Sequence, residues 1–322
     1  MTGEEMPKIA ILDDYANVSL RMADWGSLPE GYETVVFTDN LVEHDALVDR
    51  LKDFEIVCAM RERTPFPAEI FQRLPNLKLF VTSGMRNNAV DFPAARACGI
   101  PVCGTATSGN TTKEHTWAML MALARQVAHD DRMMREGKWQ TRIGVDLKGR
   151  TLGVVGLGKL GSQVSEIAKL FGMDVVAWSP NLTEERCAEV GVRKAASKEA
   201  LLREADIVTL HVVLSDRSRG MIDAAALAEM KPTALLVNTS RGPIVDEDAL
   251  IDALKNNRIA GAAVDVFEPE PLPADHPIRT LDNILLTPHM GYVTEETYML
   301  FYGEMVEDIK AWHAGEPIRI LN

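Results

Sequence analysis

Three glycines in the run VVGLGKLG carry the strongest chemical signal in the chain. Gly156, Gly158 and Gly161 form the pattern G-x-G-x-x-G, directly after an apolar run typical of a strand and before the helical pattern SQVSEIAKLFG. In that context the first glycine permits a tight turn, the second lets the backbone approach a pyrophosphate, and the third lets the helix pack on the strand. The helix N-terminus can then hold the phosphates. The pattern therefore predicts a dinucleotide-binding site.

The residues after the next predicted strand leave the choice between NAD and NADP open. In NAD sites an acidic residue about 20 positions after the glycines usually binds the ribose hydroxyls. Here the strand ends in AWSPN, and the first acidic residue after it is Glu184. A carboxylate that would repel a 2′-phosphate is missing, but Arg186 also comes several residues after Ser179. We expect NAD, with NADP as the alternative.

Three polar side chains follow predicted strands in the second half of the chain. Arg241 comes after LLVNTS, Glu270 after VDVFEP and His289 after ILLTP. Open parallel sheets bind their ligands at the carboxyl ends of the strands. Each residue alone could be an ordinary surface or loop group. Three of them at one edge of a dinucleotide-binding sheet indicate a candidate catalytic site.

Two series of short apolar strands must position these groups. Four strands are predicted in the first part of the chain, at KIAILD, TVVF, FEIVCAM and LKLFVT, with helices near 43–52 and 67–74. Six follow in the second part, at TLGVVG, MDVVAW, ADIVTLHVV, ALLVN, AGAAVDVF and NILLTP, with helices near 159–171, 198–203, 224–230 and 247–256. Strands that alternate with helices predict parallel sheets, and the second series is typical of a Rossmann-like domain.

A helical pattern connects the two series. It runs from about Thr112 to Glu136, with a Thr or Asn as its expected cap. Its apolar stripe consists of Trp117, Leu120, Met121, Ala124 and Val127. Such a stripe favours packing in a core or a subunit interface over a role in cofactor binding. A last amphipathic helix is predicted over 294–314.

The composition excludes several functional classes. A chain of 322 residues with 46% hydrophobic and 25% charged residues is typical of a globular protein of about two domains. The net charge of −13 argues against nucleic acid or an anionic membrane as a partner. The four cysteines show neither zinc spacing nor the density of a disulfide scaffold, and no stretch approaches the ~18 apolar residues of a membrane helix. We expect a cytoplasmic protein without a metal site.

Four motifs follow one another along the chain: GLGKLG, NTSRG, AAVDVFEPEPLP and LTPHMGY. In order, spacing and position at strand ends they resemble the D-isomer-specific 2-hydroxyacid dehydrogenases, the family of phosphoglycerate dehydrogenases and of glyoxylate and hydroxypyruvate reductases. The resemblance implies that Arg241 binds the substrate, that Glu270 is the acid partner of the histidine, and that His289 is the proton donor. It also implies that Asp265 holds the nicotinamide carboxamide, and that the protein is a homodimer joined through the helix after Thr112.

The implied reaction explains these residue types. Reduction of a 2-keto acid moves a hydride to the carbonyl carbon, while a proton must reach the carbonyl oxygen. An imidazole, which titrates at about pH 6.5 when unperturbed, can donate and recover that proton. A carboxylate at Glu270 would favour the imidazolium of His289 and fix its orientation. Arg241 would bind the substrate carboxylate and polarise the carbonyl.

Two positions depart from the family pattern and concern the substrate. Many members carry a glycine-rich loop after the fourth strand, where this chain reads TSGMRNN. One hypothesis is that Arg86 in that loop binds a second acidic or phosphate group of the substrate, although the sequence alone favours an ordinary exposed loop arginine. Tyr292 stands where a glycine is common and would reshape the pocket beside His289. The residues expected to contact the substrate are Ser83, Gly84, Met85, Arg86, Arg241 and Tyr292.

The expected architecture is an α/β fold with two Rossmann-like domains. A dinucleotide-binding domain, residues 107–290, is inserted into a flavodoxin-like substrate domain made of residues 1–106 and 291–322. The residues expected to bind the cofactor are Gly156, Leu157, Gly158, Lys159, Leu160, Gly161, Ser179, Thr239 and Asp265.

The motifs favour hydride transfer between NAD(P)H and a 2-keto acid, with His289 as general acid and base. Two alternatives stay open. One is a non-catalytic, NAD(H)-sensing protein of the corepressor type, which shares the fold. The other is a formate dehydrogenase, where a Gln partners the histidine, so that Glu270 argues against it.

Overall fold

The computed structural model describes residues 7–109 and 111–322. These residues form two compact units: residues 7–109 with 293–322 make unit 1, and residues 111–292 make unit 2. The expected domain limits differ from these boundaries by two or three residues. The described residues form twelve strands and twelve α-helices, numbered here along the chain. Within them, no helix has both the length and the apolar character that crossing a membrane requires.

Unit 1 contains a five-stranded parallel sheet. Its strands are β1 (Lys8–Ile11), β2 (Glu33–Val36), β3 (Ile56–Ala59), β4 (Leu79–Thr82) and β5 (Val102–Gly104). They lie in the order β2-β1-β3-β4-β5, which is the flavodoxin-like order. The four predicted strands are present. β5 was not predicted, because a strand of three residues is too short to show a periodic pattern.

Helices cover this sheet, and all residues of β3 and β4 are buried, which explains why these strands are continuous apolar runs. The helices are α1 (Ser19–Met22), α2 (His44–Leu51), α3 (Ala68–Arg73), α4 (Phe92–Ala97) and α12 (Glu295–His313). The predicted helices correspond to α2, α3 and α12. On α12 the side chains of Phe301, Met305 and Ile309 are buried, as the amphipathic pattern predicts.

Unit 2 contains a seven-stranded parallel sheet. Its strands are β6 (Thr151–Val155), β7 (Asp174–Trp178), β8 (Arg193–Lys194), β9 (Ile207–Leu210), β10 (Leu235–Asn238), β11 (Gly261–Val264) and β12 (Ile284–Leu286). The order β12-β11-β10-β9-β6-β7-β8 is the Rossmann order with one added strand. The six predicted strands are present, and the two-residue β8 was missed. The strand order reverses between β6 and β9, where such folds bind their ligands.

The helices of unit 2 correct one prediction. They are α5 (Thr111–Ala124), α6 (Val127–Arg135), α7 (Lys159–Leu170), α8 (Glu184–Val190), α9 (Lys198–Glu204), α10 (Ala224–Glu229) and α11 (Glu247–Lys255). A single helix over 112–136 is wrong. Gln126 has a left-handed backbone with φ of 58°, which interrupts the helical hydrogen bonds and leaves Val127 exposed rather than on the buried stripe. The expected cap falls at residue 110, outside the described residues.

The C-terminal segment runs along the edge of the first sheet. The backbone N–H of Gly104 donates to the carbonyl of Arg319, and Leu321 donates to Val102. The Arg319 guanidinium donates to Asp308 Oδ1 of α12 at 2.9 Å. The Asp308 side chain is fully buried, and its Oδ2 has no hydrogen-bond partner among the described residues. This burial raises the pKa of Asp308 to about 7.

We expect the stability of the protein to depend on pH through Asp308. Since the pKa of this carboxyl is higher in the folded than in the unfolded chain, folding binds a proton between about pH 4 and pH 7. The contribution to stability is fully present at low pH and is lost as the pH rises through that window, by up to about 1.4 kcal/mol per pH unit. Asp308→Asn should therefore gain stability relative to wild type as the pH rises, in urea unfolding at fixed ionic strength.

Glu307→Gln is the matched control, because Glu307 also pairs with Arg319 but is mostly exposed. The unfolding free energy of Glu307→Gln should vary with pH in the same way as that of the wild type. A constant difference between Asp308→Asn and wild type from pH 4 to pH 7 would contradict the assignment.

Candidate active site

The glycine loop after β6 is packed tightly against the protein on one side and open on the other. Gly156 has φ of 99°, and a Cβ there would lie 2.4 Å from the carbonyl oxygen of His211. A Cβ on Gly161, in the first turn of α7, would lie 2.0 Å from the carbonyl oxygen of Gly156. At Gly158, the N-cap of α7, a Cβ would meet no atom within 4 Å. The two outer glycines thus allow close packing, and the middle one leaves room for a ligand at the helix N-terminus.

A cavity of about 310 Å³ lies beside this loop. Its lining joins the glycine loop to residues after β7 and after β9: Gly156, Leu157, Gly158, Ser179, Asn181, Leu182, Thr183, Arg186, Val212 and Val213. Lys159 and Leu160 follow as the first residues of α7. The structure therefore brings Ser179 to the predicted phosphate cradle, as a dinucleotide site requires. Thr239, at the end of β10, is instead buried and lies 2.7 Å from the hydroxyl of Thr116 on α5.

Arg186 belongs to this cavity although the sequence spacing set it apart. Its guanidinium donates to the carbonyl of Leu157 at 3.3 Å and to the hydroxyl of Ser162 at 2.8 Å. A third bond, of 2.9 Å, joins it to Glu189. The turn after Ser179 and the start of α8 bring the arginine back to the glycine loop. An arginine in the first turn of the helix after β7 was the available signal.

The loops after β10, β11 and β12 bring the three catalytic candidates to one edge of the sheet. His289 Nδ1 lies 2.7 Å from Glu270 Oε2, and the other oxygen of Glu270 accepts a hydrogen bond from the backbone of Phe267 at 2.9 Å. A Cβ on Gly242 would lie 2.5 Å from the carbonyl carbon of Phe267, so the loop that carries Arg241 packs directly on the Glu270 loop. The His289 and Glu270 side chains are 18% and 20% exposed, which makes them reachable but partly desolvated.

Arg241 follows β10, and Tyr292 lies beside His289. The Arg241 guanidinium donates to the carbonyl of Ser240 at 2.7 Å, while its own carbonyl accepts from Asn238. The ring of Tyr292 lies edge-on to the imidazole of His289, with ring centroids 5.7 Å apart. An aromatic ring thus takes the place beside the catalytic candidate where a glycine is common in the family pattern.

Asp265 lies beneath the His289 loop. Its carboxylate is fully buried and accepts hydrogen bonds from the backbone N–H groups of Met290, at 2.7 Å, and Gly291, at 3.0 Å. Its backbone oxygen accepts from His289 N at 2.7 Å. Asp265 therefore supports the catalytic loop, and its expected contact with the nicotinamide carboxamide stays a prediction.

The loop after β4 in unit 1 holds the other predicted substrate residues. Ser83 is buried, and its hydroxyl accepts a hydrogen bond from the backbone of Arg61 at 2.8 Å. Gly84 has φ of 89°, and a Cβ there would lie 2.1 Å from Nη1 of Arg61. Met85 and Arg86 are exposed. Arg61 was missed, although it follows β3 just as Arg241 follows β10.

His211, which follows β9 at the same edge, can be excluded as the proton donor. Its Nε2 lies 2.9 Å from the hydroxyl of Thr209, and burial lowers the pKa of His211 to about 4. The imidazole is therefore neutral near pH 7. Among the described residues, no three or more His, Cys, Asp or Glu side chains are grouped so that they could hold a metal ion.

Comparison with known proteins identifies the family. Residues 117–291 match the model of the NAD-binding domain of the D-isomer specific 2-hydroxyacid dehydrogenases. The chain belongs to this family. The match confirms the predicted family, α/β fold and NAD(H) cofactor.

Relatives of the dehydrogenase cover most of its length. It is 38% identical to a glyoxylate reductase of Korarchaeum cryptofilum, over 86% of this chain and 85% of that protein. It is also 38% identical to a D-3-phosphoglycerate dehydrogenase of Synechocystis over 85% of this chain, but it spans only 49% of the length of that protein. The crystal structure of a phosphoglycerate oxidoreductase from Vibrio cholerae superposes with a TM-score of 0.89 at 35% identity, covering 96% of this chain and 100% of the other.

Proposed function

We propose that this dehydrogenase reduces a small 2-keto acid to the D-2-hydroxy acid and catalyses the reverse oxidation, with His289 as the general acid and base. The observation that carries the proposal is the 2.7 Å contact between His289 Nδ1 and Glu270 Oε2. It lies at the same edge of the sheet as the glycine loop. A histidine held by a carboxylate beside a dinucleotide site is the arrangement that couples proton transfer to hydride transfer.

Glu270 prepares the histidine for proton transfer. Because the Phe267 backbone fixes one carboxylate oxygen, the other meets the imidazole in a defined direction. A carboxylate oxygen only accepts, so Nδ1 of His289 must carry the proton of this contact. Nε2, on the far side of the ring, is then the atom that gives its proton to the substrate carbonyl oxygen. NADH bound at the glycine loop would supply the hydride.

Arg241 is proposed to bind the carboxylate of the keto acid. A guanidinium presents paired N–H donors that match the two oxygens of a carboxylate. The contact of Gly242 with the Phe267 backbone fixes the Arg241 loop against the loop of Glu270. The substrate carboxylate and the proton donor are thereby held by loops that support each other.

In unit 1 we propose an anion-binding loop made of Gly84, Arg86 and Arg61. The left-handed backbone of Gly84 leaves space for the Arg61 guanidinium, which donates to the Ser83 carbonyl at 3.4 Å. Arg86 is exposed on the same loop. Two arginines at the carboxyl end of the first sheet favour a substrate with a second acidic group.

For the coenzyme we propose NAD(H), with NADP(H) also accepted. No carboxylate lines the cavity at the end of β7; among its described residues, Ser179, Asn181 and Thr183 offer only hydroxyl and amide groups. Arg186 adds a positive charge, although Glu189 pairs with it. A 2′-phosphate would therefore meet hydrogen-bond partners there rather than a repelling charge.

A homodimer is proposed from exposed apolar side chains on α6 and in the segment after it. Val127, Met134, Trp139 and Ile143 are exposed by 53% to 94%. Several large apolar side chains exposed within one short stretch of chain favour an interface. A mass of one 35.5 kDa chain in light scattering would contradict the dimer.

His289→Ala should lower kcat for keto-acid reduction by about 10²- to 10⁴-fold, which is the usual contribution of general acid catalysis. NADH binding, followed by fluorescence titration, should change by no more than a few-fold, since the imidazole acts on the proton.

Loss of NADH binding together with activity would contradict this role for His289. If the wild type binds NADH but turns over none of a panel of 2-keto acids, the chain is a sensor rather than an enzyme.

Ser179→Asp should make the enzyme discriminate against NADPH. A carboxylate a few ångströms from a 2′-phosphate near the surface costs more than the ~1.4 kcal/mol that makes a tenfold difference. We expect kcat/KM for NADPH to fall at least about tenfold and that for NADH to change little, with Ser179→Asn as the uncharged control. If the wild type turns over NADH well but does not turn over NADPH, the proposal that NADP(H) is also accepted is wrong.

Arg86→Ala should lower kcat/KM more for keto acids with a second acidic group than for those without one, because only the former lose an ionic contact. The measurement is kcat/KM on a panel that pairs mono- and dianionic keto acids. Arg96→Ala, a change on α4 outside this loop, is the control. An unchanged order of preference in Arg86→Ala would show that Arg86 does not select the substrate.

A further inference from the structure

A second histidine, His115 of α5, contacts the group that supports the catalytic loop. Its Nε2 lies 3.0 Å from Asp265 Oδ1 and 3.1 Å from the hydroxyl of Thr287. Thr287 in turn donates to the same oxygen at 2.5 Å. We call His115, Asp265 and Thr287 the Asp265 cluster. All three residues belong to unit 2.

The two carboxylate oxygens of Asp265 have different neighbours. Oδ1 faces His115, Thr287 and the backbone N–H of Met290, and Oδ2 accepts from Gly291. An ionised carboxylate out of contact with water is stable only when such donors replace its hydration. Because the Thr287 hydroxyl gives its own proton to Asp265 Oδ1, it must accept the hydrogen bond from Nε2 of His115, so Nε2 carries a proton. His115 is the residue of this cluster that comes from α5 rather than from the end of β11 or the loop after β12.

The loop held by this cluster carries a strained catalytic residue. His289 has φ of 55°, in the left-handed region that side chains other than glycine rarely adopt. Such a conformation is strained and persists only where surrounding contacts impose it. Here the contacts are His289 N to the Asp265 backbone oxygen, and the next two N–H groups to the Asp265 carboxylate. The direction of the His289 side chain toward Glu270 therefore depends on where the Asp265 carboxylate points.

We propose that His115 is a positioning residue for the reaction. It acts through Thr287 and Asp265: its Nε2–H fixes the Thr287 hydroxyl, that hydroxyl fixes Oδ1 of Asp265, and the carboxylate fixes the N–H groups of residues 290 and 291, which hold His289 in its left-handed backbone conformation against Glu270. The proposal rests on the proposed function insofar as the positioned histidine is the general acid. The structural part, that His115 orders the 287–291 loop, is independent of which reaction the enzyme catalyses.

This role differs from that of a histidine merely packed in the core. A packing role would be met by a leucine, which fills similar space but donates nothing to Thr287. A positioning role requires a donor where Nε2 lies, and the amide nitrogen of glutamine can reach nearly the same place. His115→Leu and His115→Gln therefore separate the two roles.

The experiment compares these variants with wild type and with His44→Leu, the same change at an exposed histidine on α2 of unit 1. For His115→Leu we expect kcat to fall about tenfold to hundredfold, since a lost hydrogen bond and a displaced catalytic group have effects of that size. The Kd of NADH should stay within about threefold of wild type, because phosphate binding rests on the glycine loop. His115→Gln should recover most of kcat, and His44→Leu should equal wild type.

Hydrogen–deuterium exchange of the apo protein gives a readout that does not depend on turnover. Peptides covering residues 287–292 should exchange faster in His115→Leu than in wild type, and near the wild-type rate in His115→Gln. If the wild type shows no keto-acid reduction, the proposed function fails while this exchange pattern still decides the proposal. Two results would overturn the proposal. One is that residues 287–292 exchange at the wild-type rate in His115→Leu, and the other is that the Leu and Gln variants have equal kcat.

If His115→Leu fails to fold, Thr287→Val takes its place. Valine keeps the shape of threonine but removes the hydroxyl that donates to Asp265. The same faster exchange and loss of kcat are expected, and wild-type behaviour of this variant would overturn the proposal.

Discussion

The buried negative charge of Asp265 is the constraint on which the candidate active site depends. Placing an ionised carboxylate away from water costs several kcal/mol unless hydrogen bonds replace its hydration. The protein meets this requirement with donors from the loop after β12, one of which, the Thr287 hydroxyl, is itself hydrogen-bonded to His115 of α5. The backbone N–H groups that follow His289 supply two of those donors. The loop that carries His289 therefore cannot change its conformation without leaving the Asp265 carboxylate short of hydrogen bonds. The strained backbone of His289 is therefore maintained by the electrostatics of a residue that need not take part in the chemistry.

A second constraint acts at the same edge of the sheet, where backbone approaches backbone. Gly156 against the His211 carbonyl and Gly161 against the Gly156 carbonyl leave no room for a side chain. The close fit directs the N-terminus of α7 toward the open side of Gly158 and aligns its backbone N–H groups for a diphosphate. Phosphate binding and proton transfer thus have separate supports, one made of glycines and the other of a buried charge. This separation is why we expect catalysis and NADH affinity to respond to different substitutions.

The sequence predicted those parts of the fold that depend on local patterns. Strands buried on both faces appear as short apolar runs, and their carboxyl ends carried Arg241, Glu270 and His289 into one region because parallel strands end together. Strands of two or three residues, β5 and β8, left no pattern to detect. The break at Gln126 also escaped prediction, since the apolar spacing continues past a single left-handed residue.

Three side chains of the candidate sites were not identified from the sequence, for a different reason. Arg61, Arg186 and His115 act through contacts that only the folded chain creates: across two strand ends, back over a turn, and from a helix onto a neighbouring strand end. Spacing along the chain does not encode such distances. His115 stood in a pattern interpreted as a packing helix, and nothing local distinguishes a histidine that packs from one that supports a buried carboxylate.

The overall charge of −13 would seem unfavourable for an enzyme whose coenzyme and substrate are both anions. The charges lie largely on solvated surfaces, where many are paired, as in the contact of Arg193 with Asp174 and Glu204. At physiological ionic strength such charges are screened over about 8 Å. A bound ligand therefore responds mainly to the groups it touches, which we propose are the N-terminus of α7 for the coenzyme and Arg241 for the substrate. Local donors, rather than net charge, must determine which anions this dehydrogenase accepts.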